Sequence, residues 1–107
     1  MPFNELAARL GLEEDEFVEL VRLFIQTCTS DTQKLLEAIE QENIEESVKS
    51  AHTIKGSSGN MGFTEIYEVA KNVEQNAREG NLEGAENAVR LIKEKIDDLV
   101  QVVDKGE

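Results

Sequence analysis

Hydrophobic residues recur along this chain at intervals of three, four or seven residues, the spacing of one face of an α-helix. No convincing run alternates strictly between apolar and polar residues, so the pattern predicts no strand. The first predicted helix is short and runs from Phe3 to Leu10. It stops at Gly11, a residue that suits the left-handed position after a helix.

A long second helix is predicted from Glu14 to Gln41. Its apolar stripe contains Phe17, Leu20, Val21, Phe24, Cys28, Leu35 and Ile39. The middle segment, TCTSDTQ, has weak helix propensity, so we expect any bend in this helix to lie there.

Three further helices complete the pattern. The third begins near Ile44 with Asn43 as its N-cap and ends at Gly62 or just before it. The fourth covers about residues 63–79 with Gly80 as C-cap, and the fifth covers about residues 82–103. Four substantial amphipathic helices with short connections predict an antiparallel four-helix bundle, with a short extra N-terminal helix covering one end.

Composition limits what such a bundle can do. With 107 residues the chain is long enough for one domain, residues 1–107, with a single core. Its net charge of −12, from 23 acidic and 11 basic residues, repels nucleic acids and anionic membrane surfaces. Neither a signal peptide nor a membrane-spanning run is visible, so we expect a cytoplasmic protein. The single cysteine, Cys28, makes no internal disulfide and is predicted to lie in the core.

The third helix contains the only histidine of the chain, His52, within the stretch AHTIKGSSGNMG. On a helical wheel Lys55, Gly56 and Gly59 flank this histidine. The opposite side is the better core face, because it is built from small residues with two larger anchors: Ser47, Ser50, Ala51, Ile54, Ser57, Ser58 and Met61. We therefore expect the imidazole to point toward solvent.

Each of these residues has an ordinary explanation when taken singly, as a surface histidine, a solvated lysine or glycines that ease helix packing. Together they indicate chemistry, because an imidazole is a good nucleophile near neutral pH. Lys55 is within reach of an anion on the ring, and Gly56 and Gly59 leave bare backbone where a partner can approach. Ser57 and Ser58 fall on the core side, and no spacing typical of a hydrolase is present.

The stretch AHTIKGSSGNMG resembles the signature of the histidine phosphotransfer domain, which is His-x-x-Lys-Gly-Ser-Ser followed by a few residues and a glycine. Looser similarity extends over the flanking helices, including LLEAIEQ before the signature and VAKNVEQNAREGN after it. The resemblance implies that His52 is phosphorylated on Nε2, that Lys55 holds the phosphoryl oxygens and that Gly56 gives access. It also implies that Glu74 or the adjacent Gln75 orients the imidazole through Nδ1.

The resemblance further implies a phosphotransfer intermediate without ATP-dependent kinase activity, since the chain contains no phosphate-binding loop. The expected donor is an aspartyl phosphate on a receiver domain or hybrid sensor kinase, and the expected acceptor is an aspartate of another receiver. Mg²⁺ is expected in the receiver, with no cofactor of the chain's own. We expect a monomer.

Three alternatives remain open at this point. A sensor kinase's dimerisation helix pair usually has an acidic residue after the histidine and a proline nearby, whereas here Thr53 follows and this helix lacks proline. The chain is also compatible with a phosphotransfer domain excised from a larger chemotaxis-type or hybrid histidine kinase. A helical adaptor that carries no phosphate is the third.

Overall fold

Residues 3–105, which the computed structural model describes, form five helices and no strand. These are α1 (Phe3–Arg9), α2 (Glu14–Glu40), α3 (Ile44–Met61), α4 (Thr64–Arg78) and α5 (Ala85–Lys105). The four long helices α2 to α5 pack against one another in chain order and close the bundle through contacts between α2 and α5, while α1 lies against α2. The predicted all-α four-helix bundle with a short extra N-terminal helix is confirmed.

The residues at the two ends of α3 have the predicted local geometry. The side chain of Asn43 accepts a hydrogen bond from the Glu46 backbone N–H at 3.1 Å, as an N-cap does. Gly62 ends α3 with φ of 82°, a left-handed conformation in which glycine avoids the strain of a side chain. Because only Gly62 and Phe63 separate α3 from α4, the two helices form a tight antiparallel hairpin.

The TCTSDTQ segment does not interrupt α2, which is continuous from Glu14 to Glu40. Two polar side chains of this segment make contacts within the helix. The hydroxyl of Thr27 donates to the carbonyl of Leu23 at 3.1 Å, and the Thr32 hydroxyl lies 3.8 Å from the Cys28 sulfur in the core. Tertiary packing therefore outweighs the weak helix propensity of this segment.

Two expectations from the hydrophobic pattern are wrong in detail. Helix α5 begins at Ala85 rather than near Leu82, because Gly84 adopts a left-handed φ of 80° immediately before it. Leu82 still packs half-buried against the core from the preceding turn. Leu20 is 38% exposed, because it lies at the margin of the apolar stripe of α2 rather than along its centre.

The hydrophobic core consists of a cluster of phenylalanines and a larger set of aliphatic side chains packed against it. Phe63 packs edge-on against Phe24 and Phe17, with ring centroids 5.1 and 6.3 Å apart, and Phe3 of α1 packs on Phe17 at 5.3 Å. These contacts fix α1 over one end of the bundle. Cys28 is buried in the core, as predicted. Burial raises the pKa of its thiol to about 11. A hydrogen bond with Thr32 lowers this pKa in part, whereas the negative charge of Asp31 raises it further.

The buried side of α3 is the small-residue face predicted from the helical wheel. Ser47, Ala51, Ile54 and Ser58 are buried. The hydroxyl groups of the two serines are satisfied by backbone carbonyls one turn earlier, at 2.7 Å each. Among the helices of residues 3–105, none is long and apolar enough to cross a membrane.

Candidate functional site

The site lies on the hairpin of α3 and α4, where an exposed histidine meets a buried carboxylate. The side chain of His52 on α3 is 61% exposed, as predicted. Its Nδ1 lies 2.8 Å from Oε2 of Glu74 on α4. One edge of the imidazole is therefore held by the protein.

Glu74 is the centre of the site, since its side chain is only 4% exposed and charged groups surround it. Within the described residues, Oε1 pairs with Nζ of Lys55 at 2.8 Å, while Oε2 accepts from Nη2 of Arg78 at 2.7 Å and contacts His52. The adjacent Gln75 is exposed on another side of α4. The structure thus selects Glu74, rather than Gln75, as the residue that contacts the imidazole.

The electrostatics of Glu74 define the proton position on the histidine. Burial raises the pKa of this carboxyl group, but hydrogen bonds from Lys55, Arg78 and His52 outweigh the burial and lower the pKa to about 2. Glu74 is therefore ionised near neutral pH and can only accept hydrogen bonds. In the neutral imidazole, Nδ1 must then carry the proton, which leaves the lone pair on Nε2.

Lys55 lies one turn after His52, as the sequence pattern predicted, and its side chain is 27% exposed. Its ammonium group is paired with Glu74 Oε1. The structure therefore gives this lysine a partner that the sequence interpretation did not assign. The predicted contact with phosphoryl oxygens stays a prediction.

The two glycines of the histidine face have different surroundings. A β-carbon built on Gly56 would meet no other group within 4 Å, so the surface one turn after His52 is open. A β-carbon on Gly59 would lie 3.1 Å from Cδ1 of Tyr67. The missing side chain of Gly59 thus admits the Tyr67 ring from α4, and its predicted role in access remains a prediction.

Arg78 belongs to the site but was missed by the sequence analysis. It lies four residues after Glu74 on α4, a spacing at which opposite charges meet on a helix surface. That spacing is the signal that could have identified it. Within residues 3–105, no three histidine, cysteine or acidic side chains come together in a way that could hold a metal ion.

This arrangement suits nucleophilic attack on an anionic group. The exposed Nε2 carries the lone pair, while the carboxylate on Nδ1 stabilises the positive charge that the ring acquires when Nε2 forms a bond. Lys55 and Arg78 together outweigh the single charge of Glu74. The three charged side chains next to the nucleophile thus sum to one positive charge, in a protein of net charge −12.

Comparison with known proteins finds a matching family model and a matching solved structure. The model of the family described as "Hpt domain" matches residues 19–102. The search of curated proteins returned no significant match. The crystal structure of histidine-containing phosphotransfer protein B (HptB) from Pseudomonas aeruginosa PAO1 matches with a TM-score of 0.83 and 24% identity. That match covers 94% of this chain and 88% of the other, so the two chains share one fold.

Proposed function

The chain belongs to the Hpt domain family, the histidine phosphotransfer proteins of phosphorelays, and we propose that His52 is its phosphoacceptor. The observation that carries the proposal is the hydrogen bond between His52 Nδ1 and the buried, ionised Glu74. This bond leaves the Nε2 lone pair on the exposed edge of the only histidine in the chain. No other residue of the signature offers a nucleophile in that environment.

In the proposed reaction, Nε2 of His52 attacks the phosphorus of an aspartyl phosphate on a partner. The new Nε2–P bond forms as the bond from phosphorus to the aspartyl oxygen breaks, and the carboxylate leaves with that electron pair. The proton on Nδ1 stays in place. Glu74 offsets the positive charge that develops on the ring, which lowers the energy of the transition state more than that of the reactants.

The remaining residues of the site serve the phosphoryl group and its approach. Lys55 binds the phosphoryl oxygens, which reduces their repulsion from an acidic protein. Gly56 and Gly59 have no side chain that would obstruct the surface beside the imidazole, so the partner's aspartate can come within reach of Nε2. The open space at Gly56 supports this role for it.

Hpt domains work with receiver domains and kinases in phosphorelays. For this chain we propose a cytoplasmic monomer that takes phosphate from the receiver domain of a hybrid sensor kinase and passes it to a second receiver. The chain supplies no cofactor of its own, and Mg²⁺ is held by the acidic pocket of the receiver. ATP-dependent kinase activity belongs to the partner.

The test is transfer of radiolabelled phosphate from a phosphorylated receiver, with Mg²⁺ present, to this protein and to its His52→Gln variant. We expect acid-labile, alkali-stable label on the wild type alone, because phosphohistidine has that stability. Circular dichroism verifies that both proteins are folded, and light scattering tests the monomer. Label on folded His52→Gln, or no label on wild type from any of several receivers, would overturn the assignment.

A further inference from the structure

The two oxygens of the Glu74 carboxylate have different partners. Oε1 pairs with Lys55, which comes from α3, whereas Oε2 contacts His52 and Arg78. Arg78 lies on the same helix as Glu74, one turn further along. The lysine can therefore leave Oε1 without breaking either of the hydrogen bonds to Oε2.

Phosphorylation of His52 would supply a reason for the lysine to leave. The phosphoryl group brings nearly two negative charges to the exposed ring, one helical turn from Lys55. A lysine is a compact point charge on a flexible stem, so its ammonium group can exchange one anion for another. The phosphoryl group and Oε1 of Glu74 would then compete for the same cation.

Loss of Lys55 from Oε1 would leave a buried carboxylate with less compensating charge. Arg78 meets this need, because its positively charged guanidinium donates a hydrogen bond to Oε2 at 2.7 Å. Its planar, multi-donor group also fixes the direction of the carboxylate better than an ammonium group does. Glu74 thus keeps a fixed cationic partner in both states of the site.

We propose that Arg78 is a positioning residue that holds Glu74 Oε2 on His52 Nδ1 while Lys55 moves from Glu74 to the transferred phosphoryl group. The exchange of Lys55 rests on the proposed function of His52. The positioning role of Arg78 does not, since it concerns the unphosphorylated protein as well. The two cations of the site therefore have separate roles. Arg78 stays bound to Glu74, whereas Lys55 moves to the phosphoryl group.

The experiment measures the ¹⁵N chemical shifts of the imidazole, which distinguish the two neutral tautomers. His52 is the only histidine, so its ring signals need no assignment by mutation. The variants are Arg78→Gln, Arg78→Lys and Lys55→Gln. Arg90→Gln is the matched control, because it removes the same charge from an exposed arginine of α5 outside the site.

In wild type, Arg90→Gln and Lys55→Gln we expect the proton on Nδ1. In Arg78→Gln we expect shifts averaged between the two tautomers, and in Arg78→Lys a return toward the wild-type values, since the charge is restored. The lifetime of the phosphohistidine should further distinguish the role of Lys55 from that of Arg78. Lys55→Gln should shorten the lifetime roughly tenfold, as loss of one charge-assisted contact to the phosphoryl group predicts, whereas Arg78→Gln should leave it within about twofold.

The proposal is overturned if Arg78→Gln keeps the wild-type tautomer. It is also overturned if Arg78→Gln shortens the phosphohistidine lifetime as much as Lys55→Gln does, because Arg78 would then act on the phosphoryl group itself. Failure of the proposed function looks different. In that case wild type forms no phosphohistidine, while the tautomer measurements on unphosphorylated protein still report on Arg78.

Discussion

Replacing Glu74 with glutamine should change how the stability of the protein depends on pH. The pKa of Glu74 is lowered from 4.5 to about 2 in the folded protein, because the hydrogen bonds from its three partners outweigh the effect of burial. The unfolded chain therefore binds a proton at a higher pH than the folded chain does. Ionised Glu74 stabilises the fold above pH 4.5, and this contribution is lost as the pH falls toward about 2.

The size of the effect follows from the shift and from the exposure of the partners. A lowering of the pKa from 4.5 to about 2 corresponds to roughly 3 kcal/mol of stability. His52 and Arg78 are 61% and 59% exposed, so solvent screens their interactions with the carboxylate. We therefore expect about 1–2 kcal/mol to be lost from the wild type across this pH window and to be missing from the pH dependence of Glu74→Gln.

The assay is urea unfolding followed by far-ultraviolet circular dichroism, repeated at several pH values from neutral to about 2.5. Glu68→Gln is the control, since Glu68 is exposed on the same helix and the substitution removes the same charge. We expect Glu68→Gln to follow the wild-type pH dependence and Glu74→Gln to be flatter. Parallel curves for Glu74→Gln and wild type would refute the electrostatic reasoning about this site.

Substitutions at the glycines of the histidine face and in the aromatic cluster test packing rather than charge. Gly56→Ala should stabilise the protein by up to ~1 kcal/mol in thermal unfolding, because it gains helix propensity without a clash, yet slow phosphotransfer by placing a methyl group beside His52. Gly59→Ala should gain less stability, since its β-carbon would lie 3.1 Å from the Tyr67 ring. Phe63→Ala should cost about 3–5 kcal/mol in urea unfolding, because the ring is 3% exposed and packs on two other phenylalanines; a loss below ~1 kcal/mol would contradict this view of the core.

Much of the bundle and half of the site follow from single-helix geometry. The wheel of α3 is enough to place His52 outward and Ile54 inward, because both directions depend on the helical repeat alone. The start of α5 was less predictable. The sequence is equally compatible with Gly84 as a helical residue or as a left-handed residue before the helix. Only the three-dimensional path of the backbone distinguishes the two.

Contacts between helices were the part that the sequence could not supply. Whether Glu74 or Gln75 meets the imidazole depends on the rotation of α4 against α3, which neither helix specifies by itself. The pairing of Lys55 with Glu74 depends on the same rotation. Arg78, by contrast, was within reach of sequence reasoning through its spacing from Glu74.

The turn at Gly62 and Phe63 has a consequence for how the site assembles. All four residues of the charged cluster lie within residues 52–78, on two helices joined by that turn, so little loop-closure entropy opposes their meeting. Contacts of such short sequence separation favour rapid folding. Within the described residues, α1 and α5 contribute no side chain to the charged cluster. The shape of the site is thus a local property of one hairpin, whereas its lifetime depends on the packing of that hairpin against α2 and α5.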